Sequence, residues 1–247
     1  MEKHWFEKAA KHMGDAYLNY SFTKGSEQEV DFLIKTLNLK PGMKLLDVGC
    51  GPGRHSLLFA KAGINVLGID ISQEFIDIAS KERRPNAEFL RLDARNLDFY
   101  KEFDAVISLC QGAFGLAGQT NKPVTTLDPD GEILFSMSKA LVGGGKLALS
   151  AFSAYFQLHF LEEDKDTFFA DHGVNHENTS IRNSAGKEIT QDLWTSCFTP
   201  RELRLLANEA NLKVQSIWSV SPGRYKETPP TYMLPELLMV ASREIYT

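Results

Sequence analysis

The segment Leu45-Leu46-Asp47-Val48-Gly49-Cys50-Gly51-Pro52-Gly53-Arg54 constrains the fold more than any other part of this chain. An apolar run of strand character ends in a glycine-rich turn, and a helical stretch follows at once. Glycines at 49, 51 and 53 let the main chain approach a ligand where any Cβ would intrude. The first helical turn directs its free N–H groups and the positive end of its dipole at the same place. By itself this pattern suits a tight strand-to-helix connection as well as a site for a nucleotide-like ligand.

Around that turn the chain alternates. Strand-like runs at Lys44–Val48, Asn65–Ile69, Glu88–Leu92, Ala105–Leu109 and Lys146–Phe152 are separated by helical stretches. These lie at about Gly53–Lys61, after a Ser72 cap (Phe75, Ile76, Ala79), and at Ile133–Leu141, closed by Gly143-Gly144-Gly145. An earlier helix is expected from Ser26-Glu27-Gln28-Glu29, which has the form of a capping box. Val30, Leu33, Ile34 and Leu37 give it one apolar face, and Pro41-Gly42 stops it. Thr199-Pro200-Arg201-Glu202 starts another helix, and Val214–Val220 and Leu237–Ala241 add two strands. Strands and helices at this spacing imply right-handed βαβ units and a parallel sheet covered on both faces.

Two long stretches break the rhythm, Gln111–Pro129 and Ser153–Phe198. The second is acidic and His-bearing, with alternating strand patterns near Thr179–Asn183 and Glu188–Ser196. Connections of this length in a compact fold are usually functional. Nothing marks a linker, so 1–247 reads as one domain, with an N-terminal helical cap (1–40) and an inserted lid (153–198).

Acidic residues close the strands in register with the turn. Asp70 ends Val66-Leu67-Gly68-Ile69-Asp70, where a carboxylate can accept both hydroxyls of a ribose. Asp93 ends the next strand in Arg91-Leu92-Asp93-Ala94 and can accept from an adenine amino group. Ligands of open α/β sheets bind beyond these carboxyl ends.

DVGCGPG, followed by GIDIS and RLDA, resembles the class I S-adenosylmethionine-dependent methyltransferases, from about Ser26 to Ser242 apart from the insertion. The resemblance implies an α/β, Rossmann-like, doubly wound sheet of seven mostly parallel strands with the last antiparallel. It also implies S-adenosylmethionine as cofactor, with S-adenosylhomocysteine as product. On that pattern Gly49 and Gly51 approach the methionine part, within the turn that also holds Cys50 and Gly53, and Asp47 steadies it. Asp70 takes the ribose, Ile71 packs on the adenine, and Asp93 with Ala94 reads its edge. Leu109, Cys110 and Gln111 form the floor. A dinucleotide fingerprint would need a third glycine where Arg54 stands.

Charge and composition narrow the partners. A net charge of −5 with no Lys/Arg block gives no electrostatic footprint for nucleic acid. The [D/N]PP[Y/F] motif of nucleobase amino-methylating relatives is missing after the fourth strand, and Thr228-Pro229-Pro230-Thr231-Tyr232 lies in the wrong connection. The 3 cysteines, Cys50, Cys110 and Cys197, have no CxxC spacing, which disfavours structural zinc and suits a reducing compartment. With no signal-like or membrane-length apolar run, a cytoplasmic protein is expected; oligomeric state is open.

The expected reaction is methylation of a small-molecule acceptor; the alternatives are a protein acceptor, or a donor-binding scaffold without activity. Tyr155, His172 and His176 are the catalytic candidates, because an imidazole near neutrality suits a general base. Asp171-His172 with His176-Glu177 fits no specific metal geometry, so no metal is expected. Trp5, Tyr17 and Tyr20 either close over the donor or pack the first helix; Tyr20 is counted with the donor site. Phe152–Phe169, with Glu162, Glu163, Asp164 and Asp166, is either a lid with an acidic outer face or a wall selecting a cationic acceptor.

Overall fold

The computed structural model describes residues 4–116, 129–162 and 166–244. Helix α1 (Trp5–Met13) carries a capping box of its own: His4 accepts the Phe6 N–H, and Glu7 accepts the His4 N–H. Two 3-10 turns, Gly14–Asn19 and Ser21–Thr23, lead to α2 (Ser26–Thr36). The capping box expected at Ser26 and Glu29 does not form. Gly25, at φ +89°, is the N-cap, Ser26 donates to the Thr23 carbonyl, and Glu29 turns inward to a buried arginine and histidine.

The chain then runs through β1 (Lys44–Val48), α3 (Arg54–Lys61), β2 (Asn65–Asp70), α4 (Gln73–Ala79), β3 (Ala87–Arg91) and β4 (Phe103–Ser108). Helix α5 (Pro129–Ala140) and β5 (Leu141–Ser153) follow. The insertion consists of α6 (Ala154–His159), β6 (Asp166–Phe169), β7 (Val174–Arg182) and β8 (Glu188–Phe198), and α7 (Pro200–Glu209), β9 (Leu212–Val220) and β10 (Glu236–Arg243) complete the chain.

The main sheet has the order β3-β2-β1-β4-β5-β10-β9. Its first five strands pair in parallel, and β10 lies antiparallel between β5 and β9. Seven strands with an antiparallel last one are what the family resemblance implied. Alternate residues serve the two faces, as the pleat requires. Leu46, Val106, Leu147 and Met239 pack with Ile133 and Met137 of α5 and Leu203 of α7. Leu45, Ala105, Ala148 and Val240 pack with Leu33 of α2 and Phe59 of α3. The glycine run 143–145 does not precede β5. It is looped out inside it, where the register passes from Phe103↔Leu141 to Ala105↔Lys146.

The insertion is an antiparallel β6-β7-β8 meander whose last strand joins the end of β5 at Phe152↔Cys197 and Ser153↔Phe198. Helix α1 packs Ala9, Ala10 and Met13 against Phe75 of α4 and Ile181 of β7. The N-terminal segment thus bridges sheet and insertion above the carboxyl ends of β1 and β2. No helix among the described residues is long and apolar enough to cross a membrane.

Candidate active site

The glycine turn divides its work. Asp47 Oδ2 accepts the Ser56 hydroxyl at 2.6 Å, fastening β1 to the first turn of α3. At Gly49 (φ +77°) a Cβ would lie 2.1 Å from the backbone of Gly112, so the loop after β4 rests directly on the turn. At Gly53 a Cβ would lie 2.9 Å from that of Ala79; this glycine seats α3 against its neighbours. Gly51 is the open position: its nearest neighbours would be the Tyr17 and Phe75 rings at 3.9 and 4.0 Å. Cys50 is buried beneath, and burial pushes its thiol up.

Asp70 is 3% exposed, and both its oxygens are engaged by backbone: Oδ2 by the Gly51 N–H at 2.9 Å, Oδ1 by the Ser72 N–H at 2.8 Å. Burial nevertheless raises its pKa to about 7. Asp93 caps the turn Ala94–Asn96 and binds the Arg95 guanidinium at 2.6–3.1 Å. Burial works against this carboxylate, but the Arg95 hydrogen bonds and charge outweigh it and hold it below the usual range. Asp70, Ile71, Asp93 and Ala94 line one slot with His4, whose ring nitrogen lies 3.0 Å from the Leu116 carbonyl.

The slot shares Phe6, Gly49, Asp70, Gly112 and Leu116 with a larger cavity of about 490 Å³. Trp5, Tyr17 and Tyr20 line this cavity from the N-terminal side, and Tyr20 Oη accepts the Arg182 N–H at 2.8 Å. Cys110 and Gln111 line it from the loop after β4, both at φ +51°. Consecutive left-handed non-glycine residues store strain of about 1–3 kcal/mol each, which is characteristic of functional loops. Leu109 lies behind them in the core and is absent from the lining. Asn175, Glu177, Thr179 and Ile181 of β7 contribute one strand face, and Leu193 and Thr195 of β8 another.

The three catalytic candidates are not brought together, and none lines this cavity. His176 falls on the opposite parity of β7, stacked on Trp194 at 4.1 Å and 3.0 Å from Asp192 Oδ1. His172 sits in the β6–β7 turn beside Asp171. Tyr155, on α6 and 52% exposed, borders a separate outer hollow with His159 and Tyr232. Of the acidic run read as either a lid's outer face or a pocket wall, Glu162 is exposed, and Glu163, Asp164 and the Asp166 side chain lie outside the described residues.

A buried ionic cluster that the sequence did not reveal lies under the turn. Arg54 donates to Ser26 Oγ (2.6 Å), Glu29 Oε2 (3.1 Å) and Cys110 Sγ (2.8 Å). His55 Nε2 lies 2.5 Å from Glu29 Oε2, and the Gly223 N–H donates to Glu29 Oε1. Burial opposes the Glu29 charge, but His55, Gly223 and Arg54 overcome it; burial and Arg54 lower His55, leaving it neutral at pH 7. Ligand atoms of Glu29, His55 and Cys110 lie within 4.8 Å of one another, yet Arg54 already contacts two of the three, a cation in the place a metal would need. Glu236, buried at the start of β10, also lines the cavity and was missed. Its only sequence signal is a carboxylate placed directly before the apolar run Leu237–Ala241.

Residues 45–131, from the glycine turn into α5, match the methyltransferase domain family. The chain is a class I S-adenosylmethionine-dependent methyltransferase. It is 27% identical over 221 residues to the cypemycin N-terminal methyltransferase of a Streptomyces species, covering 82% of this chain and 84% of that one. The CcbJ methyltransferase of Streptomyces caelestis has the same fold, with a TM-score of 0.77 at 16% identity over 97% of this chain and 99% of that one. So does CalS10 of Micromonospora echinaspora, an amino pentose methyltransferase solved with S-adenosylmethionine bound, with a TM-score of 0.62 at 22% identity over 96% of each chain. The methyltransferase fold thus accounts for the order of the seven strands, and S-adenosylmethionine is the cofactor.

Proposed function

We propose that the enzyme methylates a small molecule held between the N-terminal aromatic segment and the insertion, with the donor lying across the junction of slot and cavity. The continuity of these two spaces at Asp70 carries the reading: one is walled by Ile71, Asp93 and Ala94, the other by aromatic rings. One structural neighbour is an amino pentose methyltransferase, and a cavity of about 490 Å³ suits a small-molecule acceptor of that kind.

The residues present fit the donor. Each Asp70 oxygen keeps a lone pair beyond its backbone bond and can accept from a ribose hydroxyl. Ile71 and Ala94 offer apolar surface to the adenine, and Asp93, held by Arg95, lies at its edge. Gly51, open toward the Tyr17 ring, and Tyr20 border the methionine part, above Cys110 and Gln111. When bound, S-adenosylmethionine supplies an electrophilic methyl group whose sulfur departs neutral, so no acid is required. The chain's own task is to orient the acceptor and exclude water.

Titration calorimetry with S-adenosylhomocysteine tests this. Wild-type protein binds it, and Asp70→Ala weakens binding at least about tenfold, roughly 1.4 kcal/mol. No heat with this ligand, but heat with a dinucleotide, would overturn the assignment.

A further inference from the structure

We propose that Glu236 is the acceptor-side carboxylate of the methyltransferase site: it anchors a cationic amine in the cavity and takes its proton before methyl transfer. The proposal rests on the donor reading above and names the class of acceptor.

Topology brings the residue there. Strand β10 runs against its neighbours, so its first residue lies at the carboxyl ends of the parallel strands, paired with Phe152 and Val220. Glu236 lines the cavity, is 3% exposed, and its Oε2 has no hydrogen-bond partner among the described residues. A buried carboxylate oxygen left unpaired is costly, and proteins retain such groups where a ligand completes them.

The surrounding wall has one sign. Among the described residues its lining includes seven aromatic side chains and the carboxylates of Asp70, Glu177 and Glu236, and no lysine, arginine or histidine. Aromatic faces and carboxylates attract a cation together, and an anionic acceptor would find no counter-charge. The groups facing Glu236 are Glu29 from α2, Arg54 from α3, and Tyr17, Cys110 and Tyr225, with Gln111 and Ser150 as polar neighbours. Arg54 is held by Glu29 and Cys110, which leaves Glu236 without a dedicated counter-ion. Burial, then the charge of Glu29, raises its pKa to about 7, where a carboxyl group both holds an ammonium ion and accepts a proton near neutrality.

The chemistry balances without a further reactant. An N–H bond of the ammonium breaks, and its proton passes to the Glu236 carboxylate. The freed nitrogen lone pair forms the C–N bond as the S–CH3 bond breaks, its electron pair remaining on sulfur. The methylated amine carries the positive charge away, and the carboxyl proton is lost to water.

The donor also carries an ammonium group, so the experiment must separate the two. Wild type, Glu236→Gln and Glu177→Gln are titrated with S-adenosylhomocysteine. The saturated proteins are then titrated with benzylamine against benzyl alcohol, and tryptamine against tryptophol, in two buffers of different ionisation enthalpy. For wild type at least one amine binds about tenfold or more tighter than its alcohol. Its binding releases close to one proton at about pH 6, where Glu236 is mostly protonated, and almost none at about pH 8. Glu236→Gln abolishes preference and proton release and leaves S-adenosylhomocysteine affinity unchanged; Glu177→Gln keeps the proton release. Amine and alcohol binding alike, or not at all, would sink the proposal, as would proton release that survives in Glu236→Gln. A tenfold loss of S-adenosylhomocysteine affinity in that variant would assign the carboxylate to the donor instead. If wild type fails to bind S-adenosylhomocysteine, the donor reading fails, and amine preference is then judged on ligand-free protein.

Discussion

Arg54 shows how one residue can carry two meanings. In the sequence it is the side chain that spoils a dinucleotide fingerprint. In the fold its guanidinium joins α2, α3 and the strained Cys110. Removing it would leave the fully buried Glu29 carboxylate with only His55 and the Gly223 amide. Breaking a buried pair from one side costs about 3–5 kcal/mol, so Arg54→Ala should lower the unfolding free energy by that much, read as a lower urea midpoint with little change in slope. A loss below about 1 kcal/mol would mean that water compensates Glu29. The glycines make a second residue-scale point. Gly49 and Gly51 look equivalent in DVGCGPG, yet only Gly49 touches another backbone. Gly49→Ala should therefore prevent soluble folding, whereas Gly51→Ala, open but at φ +56°, should fold with a lowered Tm. Equal yields of the two variants would contradict this.

At the level of elements, what was legible followed local rules. The Thr199–Glu202 capping box forms as its residues suggest, with Pro200 inside the first turn. Thr199→Ala should cost about 1 kcal/mol by chemical denaturation and leave ligand binding intact. The same motif at Ser26–Glu29 misled, because a capping glutamate and a core ion-pair partner look identical until the partner, 25 residues on, is brought beside it. Strands β1 to β5 could be read from apolar runs bounded by turn residues. In β7 the alternation was visible, but which parity faces the cavity depends on where the meander lands, and His176 fell on the other side. Strand β6 is only Asp166–Phe169, too short for a period to register. Glu236 was illegible for a related reason: nothing local says that the first residue of an antiparallel strand lies beside the ends of parallel ones.

For the molecule as a whole, the site carries an electrostatic cost that pH should expose. Burial raises both Asp70 and Glu236 to about 7 from ordinary values of 3.8 and 4.5. A raised carboxyl pKa favours folding fully below the unfolded value and progressively less as pH rises through the folded one. Each group should thus withdraw on the order of 3 kcal/mol of stability between about pH 4 and pH 7. Glu29 and Asp93 are held low and act in the opposite sense, adding stability that is lost as pH falls through their folded values. The ligand-free protein should therefore be most stable on the acid side of neutrality, with a Tm that declines toward pH 8. Asp70→Asn combined with Glu236→Gln should flatten that decline and raise the Tm at pH 8, even as ligand binding is lost. Calorimetric melts of wild type and double variant across this range decide the matter, and parallel curves would show that neither carboxyl group is desolvated in solution. Flattened curves would mean that the stability the fold forgoes at its strand ends is what keeps two carboxylates ready for ligands.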